Sequence, residues 1–301
     1  MHGEVKELPA VWLYDERGSR LFEEITRLPE YYLTRREGEI LRAWSAEIAE
    51  RTQARTLVDL GAGTGKNTRL LLDALDSAGT LERFVPLDVS EQTLRASAQA
   101  IAAAYPRVFV HAIVGDFERH LVGLSGGAGR LIALLGSTIG NLYPERRRRF
   151  LTTVATTLAR DDAFLLGIDL VKDVTRLEAA YTDSRGVTEA FVRNAITAVN
   201  RRLDATFDQR RFVYEARWDP ENEWIDIGLR ARQAHTVSVP ALELDVAFET
   251  GERLRVEISS KFRRQQVERE VGESRLRVES WWTDRAGDFA VALVSADRKD
   301  V

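Results

Sequence analysis

From Arg55 to Val171 the chain alternates short apolar runs with amphipathic stretches, a rhythm that few architectures accommodate. "RTLVDLG" runs into glycines, "TRLLLDAL" is helical, "RFVPLDVS" is apolar again, and "EQTLRASAQAIAAAY" is helical. "VFVHAIVGDF", "RLIALLGST", a helix from Pro144 to Ala159 and "AFLLGIDLV" continue the series. Near-continuous apolar strands need cover on both faces, and the intervening helices supply it. The pattern therefore predicts βαβ units around a parallel, doubly wound sheet.

The flanks read differently. Residues 9–45 are helical in pattern, with Leu21, Phe22, Ile25 and Leu28 at helical spacing and an interruption at "PEYYLTRRE". After Val171, "TRLEAAYTDSRGVTEAFVRNAITAVNRRL" is helical, and "RRFVYEARWDPENEWIDIGLRARQAHTVSV" and "ELDVAFETGERLRVEIS" alternate like antiparallel strands. "DPENEW" and "ETGER" look like turns. A helix over Lys261 to Glu273 and two strands, "SRLRVESWWTD" and "DFAVALVSA", joined through "RAGD", complete the chain. The expected fold is α/β: a doubly wound, Rossmann-like sheet domain at 35–171 plus 259–301, with an inserted α+β domain at 1–34 plus 172–258.

Composition narrows the chemistry. With no cysteine, disulfides, thiolate catalysis and cysteine metal sites are excluded. His2, His111, His120 and His235 show no ligand spacing, so no metal is expected. A net charge of −4 argues against general nucleic-acid binding, and the block "PERRRRF" reads as a solvated helix face. "MHGEVKELPA" lacks the apolar core of a signal peptide, and no run reaches membrane-spanning length. A cytoplasmic monomer acting on a small molecule, with no membrane partner, is the expectation.

"DLGAGTGKNT" follows the first strand, where glycines let a ligand approach backbone at a helix N-terminus. A P-loop would need glycine at position 60, which is Leu60, and Ser or Thr after Lys66, which is followed by Asn67. A dinucleotide fingerprint needs G-x-G-x-x-G, but Gly61, Gly63 and Gly65 leave Lys66 in the last slot. The spacing D-x-G-x-G-x-G from Asp59 resembles S-adenosylmethionine-dependent methyltransferases of the doubly wound class. Asp88 in "PLDVS" and Asp116 in "GDF" end the next strands. An acid in the first position can accept both ribose hydroxyls. Asp116 can accept from the adenine amino group, with Phe117 packing on the ring. Each taken singly is also an ordinary turn aspartate.

Beyond the loop, the chain resembles nearly end to end the L-histidine Nα-methyltransferases of ergothioneine biosynthesis, the EgtD family. "YDERGSRLFEEITRLPEYYLTRRE", "DLGAGTG", "PLDVS", "GDF", "LLGSTIGN" and "VEISSKF" carry the resemblance. It implies a class I methyltransferase sheet, a substrate-binding second domain, and three transfers to one α-amine, each releasing S-adenosylhomocysteine. It further implies that Gly61, Gly63, Asp88, Asp116 and Phe117 line the cofactor pocket. Tyr31, Gly136, Asn141 and Tyr181 would hold the α-amine and carboxylate, with Tyr14 close to the amine. Glu257 and Ser259 would read the imidazole.

The residue types suit that chemistry. A sulfonium is an activated methyl donor, so the enzyme mainly aligns an uncharged amine for in-line attack. An α-amino group with a reference pKa of about 7.7–8.0 can lose its proton near neutral pH, less readily in a free amino acid, so a strong general base is not required. Glu257 and Ser259 share a strand face, and a carboxylate with a hydroxyl can satisfy both imidazole nitrogens. Pattern alone favours another role, because Leu254, Val256 and Ile258 claim one face and leave Glu257 on a solvated one. Tyr31, Tyr181 and Asn141 could likewise be a core tyrosine, a helix contact and a turn residue.

Three departures stand out. Leu33 replaces a proline expected after the double tyrosine, which should loosen that loop. Ile227 stands near the ring where methionine is expected, and relatives are expected to carry further residues before "LPAVWLYD", so a lid from that segment is not expected. Alternatives are another aromatic amino acid as acceptor, a nicotinamide-dependent oxidoreductase, or a non-catalytic ligand sensor.

Overall fold

The unbroken apolar runs of the central block are strands covered on both faces: Arg130–Leu134 is buried throughout, and Ala163–Asp169 is buried after its first residue. The computed structural model describes residues 6–124 and 129–297, so His2 and the first half of the "MHGEVKELPA" segment lie outside the described residues. Two compact units emerge. The smaller comprises Met1–Tyr32 and Lys172–Ser259, the larger Leu33–Val171 and Ser260–Val301.

In chain order, the smaller unit opens with strand β1 (Lys6–Glu7) and helix α1 (Glu16–Ile25). The larger unit follows with α2 (Leu33–Thr52), β2 (Thr56–Leu60), α3 (Thr68–Ser77), β3 (Arg83–Asp88), α4 (Glu91–Ala104), β4 (Phe109–Val110) and β5 (Ile113–Val114). It continues through α5 (Phe117–His120), β6 (Arg130–Leu134), α6 (Pro144–Thr157) and β7 (Ala163–Asp169). The smaller unit resumes with α7 (Val174–Ala179), α8 (Val187–Leu203), β8 (Phe212–Asp219), β9 (Trp224–Ala231), β10 (His235–Val239), β11 (Leu244–Phe248) and β12 (Arg253–Ser260). The chain ends in the larger unit with α9 (Arg264–Glu273), β13 (Leu276–Thr283) and β14 (Phe289–Ala296).

The larger unit is built on an eight-stranded sheet in the order β13-β14-β7-β6-β2-β3-β4, with β5 also on β3. β2 to β7 run parallel, whereas β14 is antiparallel to both β7 and β13. From β2 the chain builds outward through β3, then crosses to β6 on the other side. Strand order thus reverses between β2 and β6, and ligands of doubly wound sheets bind beyond the carboxyl ends at such a switch point. The glycine loop leaves β2 and residues 135–141 leave β6, so both candidate loops start there.

Several local readings are corrected. "VFVHAIVGDF" is not one strand but two short ones, β4 and β5, separated at His111 and Ala112. Their partner β3 contains Pro86, which has no N–H, opposite that gap, so a continuous ladder is not available. The helical reading of residues 175–203 breaks at 180–186, where Gly186 has φ +69°. The Asp183 carboxylate there accepts from the N–H groups of Val187 (2.9 Å) and Thr188 (2.8 Å) and so starts α8. Leu33 does not loosen a loop: it is buried as the first residue of α2, the position where a helix tolerates proline equally well. Arg147 is not solvated with the rest of "RRRR". It is buried, and its guanidinium holds Glu270 through Nε and Nη2 at 2.7 and 2.9 Å.

In the smaller unit, one sheet runs β1-β12-β9-β8, and β10 and β11 form a separate pair. "DPENEW" joins β8 to β9 as a hairpin, with the Asp219 carboxylate accepting from Glu221 and Asn222 N–H. "ETGER" connects β11 to β12, but these two do not pair with each other. Among the described residues, no helix is long and apolar enough to cross a membrane.

Candidate active site

The glycine loop is shaped by positive φ at Gly61 (+73°), Gly63 (+49°) and Gly65 (+66°), conformations that side chains other than glycine's disfavour. Gly61 and Ala62 donate to the Leu87 carbonyl, which turns the loop over the end of β3. There Asp88 takes the Gly63 N–H on Oδ2 and the Ser90 N–H on Oδ1, both at 2.8 Å. Burial raises the Asp88 pKa, opposed by these hydrogen bonds. A Cβ added at Gly61 or Gly63 would meet no heavy atom within 4 Å, so the loop faces open space, whereas one at Gly65 would press on Ser97 and Ile101 of α4. Gly61, Gly63 and Asp88 therefore form one cradle that fits a ribose-bearing ligand, and each Asp88 oxygen keeps a lone pair for it.

Asp116 lies just past β5, whose Val114 is in register with Asp88. Its carboxylate caps α5 by accepting from Glu118 N–H at 3.0 Å, and the neighbouring Phe117 ring meets Phe150 edge-on at 5.4 Å. The two residues thus also do local structural work.

Beyond β6, Gly136 has φ +70° and Ser137 φ +59°. Gly136 N–H donates to Glu37 at 2.6 Å, and Ser137 Oγ accepts from Asp169 N–H at 3.0 Å. The turn Thr138–Asn141 then ends at the half-buried Asn141. Arg147 fixes the exit by donating to the Leu142 carbonyl at 3.1 Å. Lys261 and Asp169, both 0% exposed at their side chains, pair at 2.9 Å nearby. This loop is held at each end and offers one amide side chain.

Two buried carboxylates stand here: Asp59, which opens the glycine-loop motif, and Glu37, which was not read from the sequence. Glu37 accepts from Asn67 Nδ2 (2.8 Å) as well as Gly136, and Asp59 accepts from Thr68 Oγ1 (2.6 Å). Burial pushes each up to about 7, and Asp88 and Glu37 add like-charge repulsion on Asp59.

The smaller unit gathers the aromatic candidates. The Tyr181 hydroxyl is hydrogen-bonded to Ser259 Oγ at 2.8 Å, and both residues are buried. Tyr31 meets Tyr181 edge-on at 6.3 Å and Phe22 at 6.2 Å, while Tyr14 packs on Phe22 and Phe191 at 5.8 and 5.5 Å. Tyr14, Tyr31, Tyr181 and Ser259 are therefore linked in one contiguous cluster. Glu257 stands two residues before Ser259 on the same face of β12 and is half-buried. On that face, Arg253 and Arg255 pair with Asp226 at 3.0 and 2.7 Å. Tyr214, also missed in the sequence, donates to the Tyr181 carbonyl at 2.5 Å, and its pKa is raised by burial and by acids including Glu257. Ile227 is buried in β9 opposite Ala216 of β8.

A family model described as "Histidine-specific methyltransferase, SAM-dependent" matches residues 1–296. The chain belongs to the histidine-specific, SAM-dependent methyltransferase family. It is 51% identical over 288 residues to a histidine N-alpha-methyltransferase of Mycolicibacterium smegmatis, covering 96% of this chain and 90% of that one. A histidine N-alpha-methyltransferase of Mycobacterium tuberculosis is 50% identical over 290 residues, with the same two coverages. A solved S-adenosylmethionine-dependent methyltransferase from Clostridium acetobutylicum aligns with TM-score 0.52 at 11% identity, over 93% of this chain and 99% of that one. It bears on the fold alone, and agrees with the doubly wound, Rossmann-like sheet of this family member.

Proposed function

We propose that the protein transfers methyl groups from S-adenosylmethionine to the α-amine of L-histidine, three times in succession. The product is Nα,Nα,Nα-trimethyl-L-histidine, for ergothioneine biosynthesis. The observation that carries this reading is the half-identity, over 96% of the chain, to a protein named histidine N-alpha-methyltransferase.

The bound donor supplies a methyl group on a sulfonium, already activated for displacement. The chain's own residues then bind and orient. Gly61 and Gly63 leave room against backbone, Asp88 takes the ribose hydroxyls, and Asp116 and Phe117 take the adenine. Asn141, Gly136, Tyr31, Tyr14 and Tyr181 hold the α-amine and carboxylate through neutral groups. Neutral hydrogen-bonding partners favour the uncharged amine, which alone is nucleophilic. Tyr14 and Tyr31 also bring aromatic surface to a nitrogen that gains apolar methyls and finally a fixed positive charge. Glu257 accepts an imidazole N–H while Ser259, steadied by Tyr181, meets the other nitrogen. A monomeric, cytoplasmic enzyme without a resident metal belongs to the same proposal.

The test is identification of the product by tandem mass spectrometry after incubating histidine, or tryptophan in a parallel reaction, with the protein and S-adenosylmethionine. Methyls on Nα of histidine are expected. Faster methylation of tryptophan would overturn the acceptor, and methyls on the imidazole ring would overturn the orientation assigned to Glu257.

A further inference from the structure

Glu37 lies in the second turn of α2, where a glutamate is ordinarily solvated. Here it is 2% exposed. Its two oxygens each meet a different element: Oε1 accepts the Gly136 N–H at 2.6 Å, and Oε2 accepts from Asn67 Nδ2 at 2.8 Å. Room for that carboxylate depends on strand β7, because a Cβ at Gly167 would fall 2.3 Å from Oε1. Asn67 precedes α3 yet makes no side-chain cap of it. Its amide instead donates to Glu37 and, at 3.1 Å, to the Thr34 carbonyl. Three separate sequence segments have thus given up local options to converge on one carboxylate.

We propose that Glu37 is a positioning residue for methyl transfer, its carboxylate tying the acceptor loop at Gly136 to Asn67, behind the glycine loop. This rests on reading 136–141 as the acceptor loop and 61–65 as the donor loop. Gly136 begins the turn that ends at Asn141, and Asn67 stands two residues beyond Gly65. Glu37 therefore fixes the spacing between the segment that carries the amine-binding amide and the segment that carries the donor. Without it, two buried donors are left unsatisfied and the two loops are no longer referenced to each other. Transfer in line is sensitive to such spacing, while binding of either ligand alone is much less so.

The experiment uses Glu37→Gln and Asn67→Ala in the full chain. Gln keeps the size of the side chain but puts an NH2 donor against one of the two donors. Expected are a fall in kcat of about 10- to 100-fold in both variants and a donor KM within about threefold of wild type. Lower melting temperatures should accompany this, since each variant leaves buried polar groups unsatisfied, together with faster amide exchange at Gly136 in Glu37→Gln. Wild-type kcat in both variants, or a loss of kcat that disappears when each is assayed equally far below its melting temperature, would overturn the proposal. The exchange measurement needs no acceptor. If wild type fails to methylate histidine while Gly136 exchange still responds to Glu37→Gln, the acceptor assignment has failed and the tie has not. Unchanged exchange at Gly136 overturns the tie whichever acceptor is used.

Discussion

Replacing Gly140 by alanine tests whether the turn before Asn141 is set by close contact with the chain beside it. The added Cβ would lie 2.8 Å from the Ser260 carbonyl oxygen and 3.3 Å from its nitrogen. Both are backbone atoms, so no rotamer change relieves the clash. Ser260 itself has little freedom, since the next residue, Lys261, is buried in its pair with Asp169. The movement must fall on residues 138–141, which need to withdraw by about 0.6 Å to restore an ordinary carbon–oxygen contact. If Asn141 aligns the amine, a displacement of that size should lower kcat about 10-fold, because a 1 Å misplacement can cost about 100-fold. Overpacking should also cost about 1–3 kcal/mol of stability. Steady-state kinetics with both substrates, together with denaturant unfolding, read the two effects separately. A variant that loses stability but keeps wild-type kcat would refute the placement of Asn141 at the amine.

Other substitutions probe the remaining parts. Asp88→Ala should weaken S-adenosylmethionine binding by about 1–3 kcal/mol in calorimetry, from a lost acceptor for ribose hydroxyls and an unsatisfied Gly63 N–H. Glu257→Ala should raise the KM for histidine far more than that for the donor, by an equivalent of about 1.5–3 kcal/mol, and should improve turnover of indole side chains. Glu37 and Asp59 are lifted to about 7, so the native state binds more protons than the unfolded chain between the ordinary carboxylate range and that value. Their contribution to stability is therefore fully present at low pH and falls as pH rises towards about 7, flattening above it. The double variant Glu37→Gln with Asp59→Asn should remove that component from melting temperatures measured between pH 5 and 8. Lys261→Met should cost about 3–5 kcal/mol in denaturant unfolding, because Asp169 is left buried without its cation.

The parallel sheet was legible because doubly covered strands announce themselves as unbroken apolar runs, and the glycine loop because it follows one of them. What escaped depended on partners distant in sequence. Nothing in "LTRREGE" separates Glu37 from its solvated neighbours, since its burial is decided by Gly136, Asn67 and the absent side chain of Gly167. Arg147 looked like one of four equivalent arginines until α9 supplied Glu270. The interruption between α7 and α8 did leave a local mark, "TDSRG", but apolar spacing on both sides concealed it. Glu257 shows the opposite limit. Its strand pattern suggested solvent, yet β12 leads that face from the Arg255–Asp226 pair to Ser259 and its hydrogen bond with Tyr181.

The central claim is repeated methylation of one nitrogen, and its most direct test is a time course of histidine with excess S-adenosylmethionine, followed by mass spectrometry. Mono- and dimethylhistidine should appear and be consumed, ending in Nα-trimethylhistidine with three S-adenosylhomocysteine released per product. Monomethylhistidine that accumulates without further conversion, with one S-adenosylhomocysteine per histidine consumed, would contradict it.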